Sequence, residues 1–214
     1  MTSVRPFQLY VSDEMLADIR ARVAAFPWHE MPDDGGWQYG ANLDYMKELC
    51  AYWTDRFDWR AQEVALTQFS HYVAPVDGLD IHFIHEKGSG PNPIPLMISH
   101  GWPGSVAEFT KVIEPLTHPE RHGLDPSLSF DVIAPSLPGF GYSGPPPRPY
   151  GPRKMAGLIN KLMTEVLGYG RYVAQGGDWG GAVSSWLGFD HASACKAIHI
   201  NILITRHPDG PQGH

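Results

Sequence analysis

The sequence predicts an α/β fold in which a mostly parallel sheet carries helices on both faces and is preceded by a helical N-terminal meander. Two observations lead to this fold class. After about Glu86, short apolar runs typical of buried strands alternate with segments of helical periodicity. Before Glu86, the pattern is that of helices followed by one hairpin. A chain of 214 residues, 43% of them hydrophobic, can form a core for such a fold.

The first region, residues 1–86, has clear local signals for each element. Ser12 is a good N-cap for a first helix, and a second helix is expected to start near Asn42. Residues 69–84 are predicted to form two strands around a tight turn at Asp77-Gly78, since Asp-Gly favours the turns that close hairpins. We interpret this region as an N-terminal arm that includes the hairpin.

The second region, residues 87–214, is predicted to contain the first part of the α/β core. Gly168 is expected to end the middle helix of this region as its C-cap. The predicted elements are strands at 96–100, 131–135, 171–177 and 196–203, and helices at 105–116, 155–167 and 179–189.

Composition and termini narrow the range of functions. The net charge of −7 and the lack of a Lys/Arg cluster argue against a nucleic-acid partner. Cys50 and Cys195 have apolar neighbours and are predicted to be small core residues in a reducing compartment. The N-terminus lacks a signal-peptide pattern and no long apolar run is present. We therefore expect a soluble, cytoplasmic protein with no membrane partner.

The residues Gly176-Gly177-Asp178-Trp179-Gly180 fall between a predicted strand and a predicted helix. This small-x-nucleophile-x-small pattern is typical of a nucleophile elbow, whose turn lifts the central side chain above the sheet. An aspartate there is already anionic, so it can attack a saturated electrophilic carbon directly and form an alkyl ester. The alternative is that Asp178 only caps the following helix.

A second motif, His100-Gly101-Trp102-Pro103-Gly104-Ser105, lies between the first core strand and the next helix. A loop in this position supplies a backbone N–H to an oxyanion hole. We expect the N–H groups of Trp102 and Trp179 to be the two donors. Trp102–Pro103 is a candidate cis peptide bond, and His100 is expected to brace the loop.

With these motifs in place, the sequence resembles the microsomal-type epoxide hydrolases over nearly its whole length. The matching stretches are RPF at 5–7, YWTDRFDWRAQE at 52–63, IHFIHE at 81–86, HGWPGS at 100–105, DVIAPSLPGFGYSG at 131–144 and GGDWGG at 176–181.

This resemblance implies an α/β-hydrolase core with a helical cap and an N-terminal meander. Asp178 would be the nucleophile, and Trp102 and Trp179 would line the oxyanion hole. The implied reaction converts a small hydrophobic epoxide and water into a vicinal diol, with no metal and no organic cofactor.

The sequence departs from the family's pattern after Asp178. In the family the nucleophile is followed by a cap with two tyrosines, then an acid, then a catalytic histidine. The chain ends at His214 without these elements. The later histidines are poor candidates for the base: His191, His199, His207 and His214. The chain is therefore expected to be an N-terminal portion that cannot turn over alone. It is also expected to associate with itself or to need the C-terminal portion.

Two alternatives stay open at this point. One is a haloalkane dehalogenase-like hydrolase, which also uses an Asp nucleophile followed by Trp. The other is a non-catalytic fragment or binding module. A metal site at His82 to Glu86 is disfavoured, because His82 and His85 would point to opposite faces of a strand.

Overall fold

The computed structural model describes residues 4–29 and 36–203. They form two compact units, one of which is Leu9–Leu66, while the other comprises the described residues on either side of it. The α-helices are α1 (Asp13–Ala24), α2 (Leu43–Asp55), α3 (Trp59–Leu66), α4 (Ile113–Thr117), α5 (Pro152–Lys161) and α6 (Trp179–Asp190). The strands are β1 (Arg5–Pro6), β2 (His71–Val76), β3 (Leu79–Glu86), β4 (Ile94–Ser99), β5 (Phe130–Pro135), β6 (Tyr172–Gly176) and β7 (Cys195–Ile200).

The Leu9–Leu66 unit contains α1, α2 and α3; the starts of α1 and α2 agree with the sequence prediction, whereas α3 was not predicted. The Ser12 side chain accepts a hydrogen bond from the Met15 N–H, and the Asn42 side chain accepts one from the Tyr45 N–H. A buried carboxylate, Glu63, accepts hydrogen bonds from the Val11 N–H and from Arg60. Because α1 and α2 have no buried residue, we expect these hydrogen bonds to Glu63 to contribute to the stability of the unit.

The second unit is built on one mixed seven-stranded sheet with the strand order β1-β2-β3-β5-β4-β6-β7. The strands β5, β4, β6 and β7 are parallel, as predicted for the core. The predicted hairpin is confirmed, with positive φ angles of 49° at Asp77 and 78° at Gly78 in its turn.

The hairpin also joins the core sheet, because β3 pairs with β5 in antiparallel fashion. The compact units consequently divide before Leu9 and after Leu66, whereas the sequence suggested a division after residue 86.

Helices pack on both faces of the sheet, which confirms the predicted class. On one face, α5 and α6 pack over side chains such as Ile81, Phe83 and Met97. On the other face, α4 and the turn before it pack over Ile84, Leu96 and Ile98. The strands β5, β4 and β6 therefore run through a buried layer, whereas most of β7 is exposed. The carboxyl ends of these four parallel strands form one edge of the sheet.

The prediction of one continuous helix over residues 105–116 is wrong. Residues Val106–Phe109 form a 3-10 turn capped by Ser105, and α4 begins only at Ile113. The reason is Pro115, which lacks an N–H and whose ring would meet the carbonyl group four residues earlier in a continuous helix. Proline is tolerated in the first turn of a helix, so α4 has to start close to it.

The helix predicted at 155–167 is also modified. It begins earlier, at Pro152, and changes to a π-helical turn at Leu162–Val166. The predicted C-terminal glycine, Gly168, has a φ of 76° as expected. Within the described residues, no helix combines the length and apolar character needed to cross a bilayer.

Candidate active site

Asp178 lies in a sharp turn between β6 and α6. Its backbone angles are φ 51° and ψ −124°, although a side-chain-bearing residue rarely adopts a positive φ. Such a conformation costs of the order of 1–3 kcal/mol and persists only where the surroundings enforce it. We call residues 176–180 the elbow.

Two glycines make the elbow possible. A Cβ atom on Gly176 would lie 2.1 Å from the Gly180 carbonyl oxygen, and one on Gly180 would lie 2.1 Å from the Ser99 carbonyl oxygen. These neighbours are backbone atoms and cannot rotate away. The close approach of β6, α6 and the end of β4 therefore requires glycine at both positions, as the sequence pattern predicted.

The carboxylate of Asp178 faces the loop that follows β4. Its Oδ1 accepts a hydrogen bond from the Trp102 N–H at 2.7 Å. Its side chain makes no capping bond to α6, so the alternative in which Asp178 only caps this helix is wrong. Gly101 gives the carboxylate room, because a Cβ there would lie 2.5 Å from Asp178 Oδ1.

His100 braces this loop through hydrogen bonds, as expected. It is buried; its Nδ1 donates to the Gly101 carbonyl oxygen at 2.9 Å, and its Nε2 accepts from the Leu137 N–H at 3.1 Å. Burial lowers the pKa of His100, although its bond to Gly101 and the charge of Glu108 act in the opposite direction. Because both ring nitrogens are occupied, His100 fixes the loop and has no free nitrogen to act as a base.

The two predicted oxyanion donors flank Asp178. Trp102 is 68% exposed and its bond to Pro103 is cis, as the sequence suggested. Trp179 is the first residue of α6, so its N–H has no carbonyl partner within that helix. The register places Ser99 beside Gly176, which brings the ends of β4 and β6 to the same level.

Sequence reasoning missed the partner of His100. The Leu137 N–H comes from the loop after β5, within the stretch 131–144 that contributed to the family resemblance. The signal available was the short Pro/Gly-rich loop at the end of a neighbouring strand, because carboxyl ends of parallel strands meet at one edge.

The two later histidines that the structure describes, His191 and His199, do not lie in the site. His191 is the C-cap of α6, at the far end of a 12-residue helix from Asp178. His199 lies within β7, and His207 and His214 lie outside the described residues.

His82, from the disfavoured metal motif, is buried and its Nδ1 lies 2.9 Å from the Ser136 hydroxyl. Its Nε2 lies 2.9 Å from His71 Nδ1, while His85 contacts the hydroxyl group of Tyr169. Among the residues that the structure describes, no cluster of three metal-binding side chains occurs.

Comparison with known proteins places these observations in a family. Residues 4–109 match the family described as epoxide hydrolase N terminus, and residues 94–206 match the α/β-hydrolase fold family. Epoxide hydrolase 1 of Sus scrofa is 38% identical over an aligned length of 207 residues, and the match covers 94% of this chain and 45% of that protein.

Two solved structures are also similar. Juvenile hormone epoxide hydrolase of the silkworm Bombyx mori matches with a TM-score of 0.86 at 31% identity, over 98% of this chain and 50% of that one. The epoxide hydrolase of Aspergillus niger matches with a TM-score of 0.84 at 32% identity, over 99% of this chain and 55% of that one. The chain thus spans about half the length of the proteins it matches.

Proposed function

Because the chain belongs to the epoxide hydrolases of the α/β-hydrolase fold, we propose that it carries the nucleophile and oxyanion hole of an enzyme that opens epoxides to vicinal diols. The observation that supports this most directly is the 2.7 Å hydrogen bond between the Trp102 N–H and Asp178 Oδ1. It connects the predicted nucleophile with a predicted oxyanion donor.

In the first step, a carboxylate oxygen of Asp178 attacks one ring carbon of the epoxide. A C–O ester bond forms while the ring C–O bond breaks, and its electron pair goes to the ring oxygen, which then takes up a proton from solvent water. The elbow supports this step because it fixes the carboxylate above the end of β6, as positioned attack requires. No cofactor is needed, since an aspartate carboxylate is itself an adequate nucleophile for a strained ring.

In the second step, water attacks the carbonyl carbon of the ester, and negative charge develops on the oxygen contributed by Asp178. The N–H groups of Trp102 and Trp179 would stabilise this charge, and the loss of one such donor typically costs about a hundredfold to a thousandfold in rate. The step releases the diol and regenerates the carboxylate.

The second step also needs a base to take a proton from the attacking water. Among the described residues, His100 has both nitrogens occupied and His191 lies at the distant end of α6. We propose that the base and the cap come from a further polypeptide segment, and that this chain alone forms the ester but turns over poorly. We also propose, as an alternative to this further segment, that the partner is a second copy of the chain.

The expected substrate is a small hydrophobic epoxide, because Trp102, whose N–H binds the carboxylate, and Trp179, which follows Asp178, both have exposed side chains. Cys50 and Cys195 form no disulfide, which is consistent with the proposed location in a reducing compartment such as the cytoplasm.

The proposal is tested by incubating the chain with styrene oxide and, separately, with a chloroalkane. We expect a stoichiometric rise in protein mass with styrene oxide, little diol, and no halide release. Asp178→Asn should show no mass increase, while Asp80→Asn, which changes an exposed aspartate paired with Arg5, should react like the wild type. Halide release would favour the dehalogenase alternative, and reaction with neither compound would favour a non-catalytic binding module.

A further inference from the structure

Asn201, the first residue after β7, contacts the elbow from the side opposite to Trp102. Its backbone N–H donates to the Gly176 carbonyl oxygen at 3.3 Å, which extends the β6–β7 pairing to the first residue of the elbow. Its side-chain Oδ1 accepts a hydrogen bond from Gln175 Nε2 at 3.1 Å. Because Oδ1 is bonded to Gln175, the other end of the amide, Nδ2, points away from Gln175.

That nitrogen lies against Gly177, the residue immediately before the nucleophile. A Cβ atom on Gly177 would lie 3.2 Å from Asn201 Nδ2 and 3.4 Å from Cγ. A side chain at position 177 would therefore crowd the Asn201 amide, whereas glycine leaves room for it. Asn201 bonds to Gly176 through its backbone, and its side chain lies beside the space that Gly177 leaves open.

We propose that Asn201 is a positioning residue for Asp178, which keeps the strand side of the elbow in place while the carboxylate attacks. The inference rests on the proposed function, because its effect is exerted on ester formation. Asn201 itself does not touch the reacting atoms; its side chain acts through its bond to Gln175 and its position beside Gly177.

The need for such a contact follows from the backbone. Asp178 has a φ of 51°, which an aspartate leaves unless neighbouring groups hold it. On the α6 side, Gly180 packs tightly against Ser99. On the β7 side, β7 is the edge strand among the residues that the structure describes. Asn201 and its bond to Gln175 supply a restraint on that side.

The simpler reading is that Asn201 is an exposed polar residue that ends a strand. The two readings differ in what removal of the side chain does. If Asn201 only ends the strand, Asn201→Ala changes the amount of folded protein. If it positions the elbow, the rate constant of ester formation falls in protein that remains folded.

The experiment measures ester formation by rapid acid quench and mass spectrometry, over a range of styrene oxide concentrations. Three quantities are compared: the first-order rate constant at saturation, the half-saturating concentration, and the final labelled fraction. Asn201→Ala is expected to lower the rate constant about tenfold, equivalent to ~1.4 kcal/mol, with the other two quantities unchanged. Lys196→Ala, at the other end of β7, is the matched control and should react like the wild type.

Gln175→Ala provides a second variant that keeps Asn201. It should lower the rate constant by a smaller factor, and it should add little to the effect of Asn201→Ala, because both act through one contact. Equal rate constants in Asn201→Ala and wild type, or a fall only in the labelled fraction, would overturn the inference while leaving the proposed function intact. A wild-type chain that forms no ester would overturn both.

Discussion

Gly180 provides a test of the close packing that shapes the elbow. In Gly180→Ala, the new methyl carbon would lie 2.1 Å from the Ser99 carbonyl oxygen and 2.9 Å from that of His100, where ordinary contact begins at 3.4 Å. Overpacking of this kind typically costs ~1–3 kcal/mol and occasionally more. Here both neighbours are backbone, so we take the upper end and subtract the ~1 kcal/mol by which alanine favours a helix. The expected loss is about 2 kcal/mol in the free energy of unfolding.

Urea denaturation followed by far-UV circular dichroism would measure this loss. Gly157→Ala is the control, since Gly157 lies inside α5 and a Cβ there would meet nothing within 4 Å. The control should gain about 0.5–1 kcal/mol from helix propensity alone. If Gly180→Ala were as stable as the wild type or the control, the close approach of α6 to the end of β4 would be refuted.

Three further changes test other parts of the structure. Gly101→Ala would put a Cβ 2.5 Å from Asp178 Oδ1, so we expect ester formation to slow about a hundredfold, measured by mass spectrometry; an unchanged rate would contradict this. Ser184→Ala removes a buried hydroxyl that has no hydrogen-bond partner among the described residues, and should raise stability by about 1 kcal/mol in urea denaturation; a lower urea midpoint would contradict this. His82 has its pKa lowered to about 3 by burial and by the nearby His71, so it is protonated more readily in the unfolded chain. Stability should then fall as the pH drops from about 6.5 towards 3, and His82→Asn should show a shallower fall, whereas parallel pH profiles would contradict the assignment.

Local sequence signals predicted most of the elements. Ser12 and Asn42 cap helices where their side chains suggested, and Asp77-Gly78 closes the hairpin. The elbow was predictable because its requirements are local: small residues on both sides of Asp178, between a strand and a helix.

The features that the sequence did not predict depend on contacts between distant residues. Nothing local indicates that β3 pairs with β5, because strand pairing is set by partners far along the chain. The same holds for the contact of Leu137 with His100 and for that of Asn201 with Gly177. Pro115 could have predicted the break in the 105–116 helix. The prediction of a continuous helix followed the apolar periodicity instead.

The assignment of Asp178 as the nucleophile is tested most directly by locating the ester. The chain is incubated with styrene oxide, quenched in acid, digested, and mapped by tandem mass spectrometry. The predicted result is one adduct, on Asp178, which is absent in Asp178→Asn. An adduct on any other residue, an adduct that persists in Asp178→Asn, or no adduct at all would contradict the assignment.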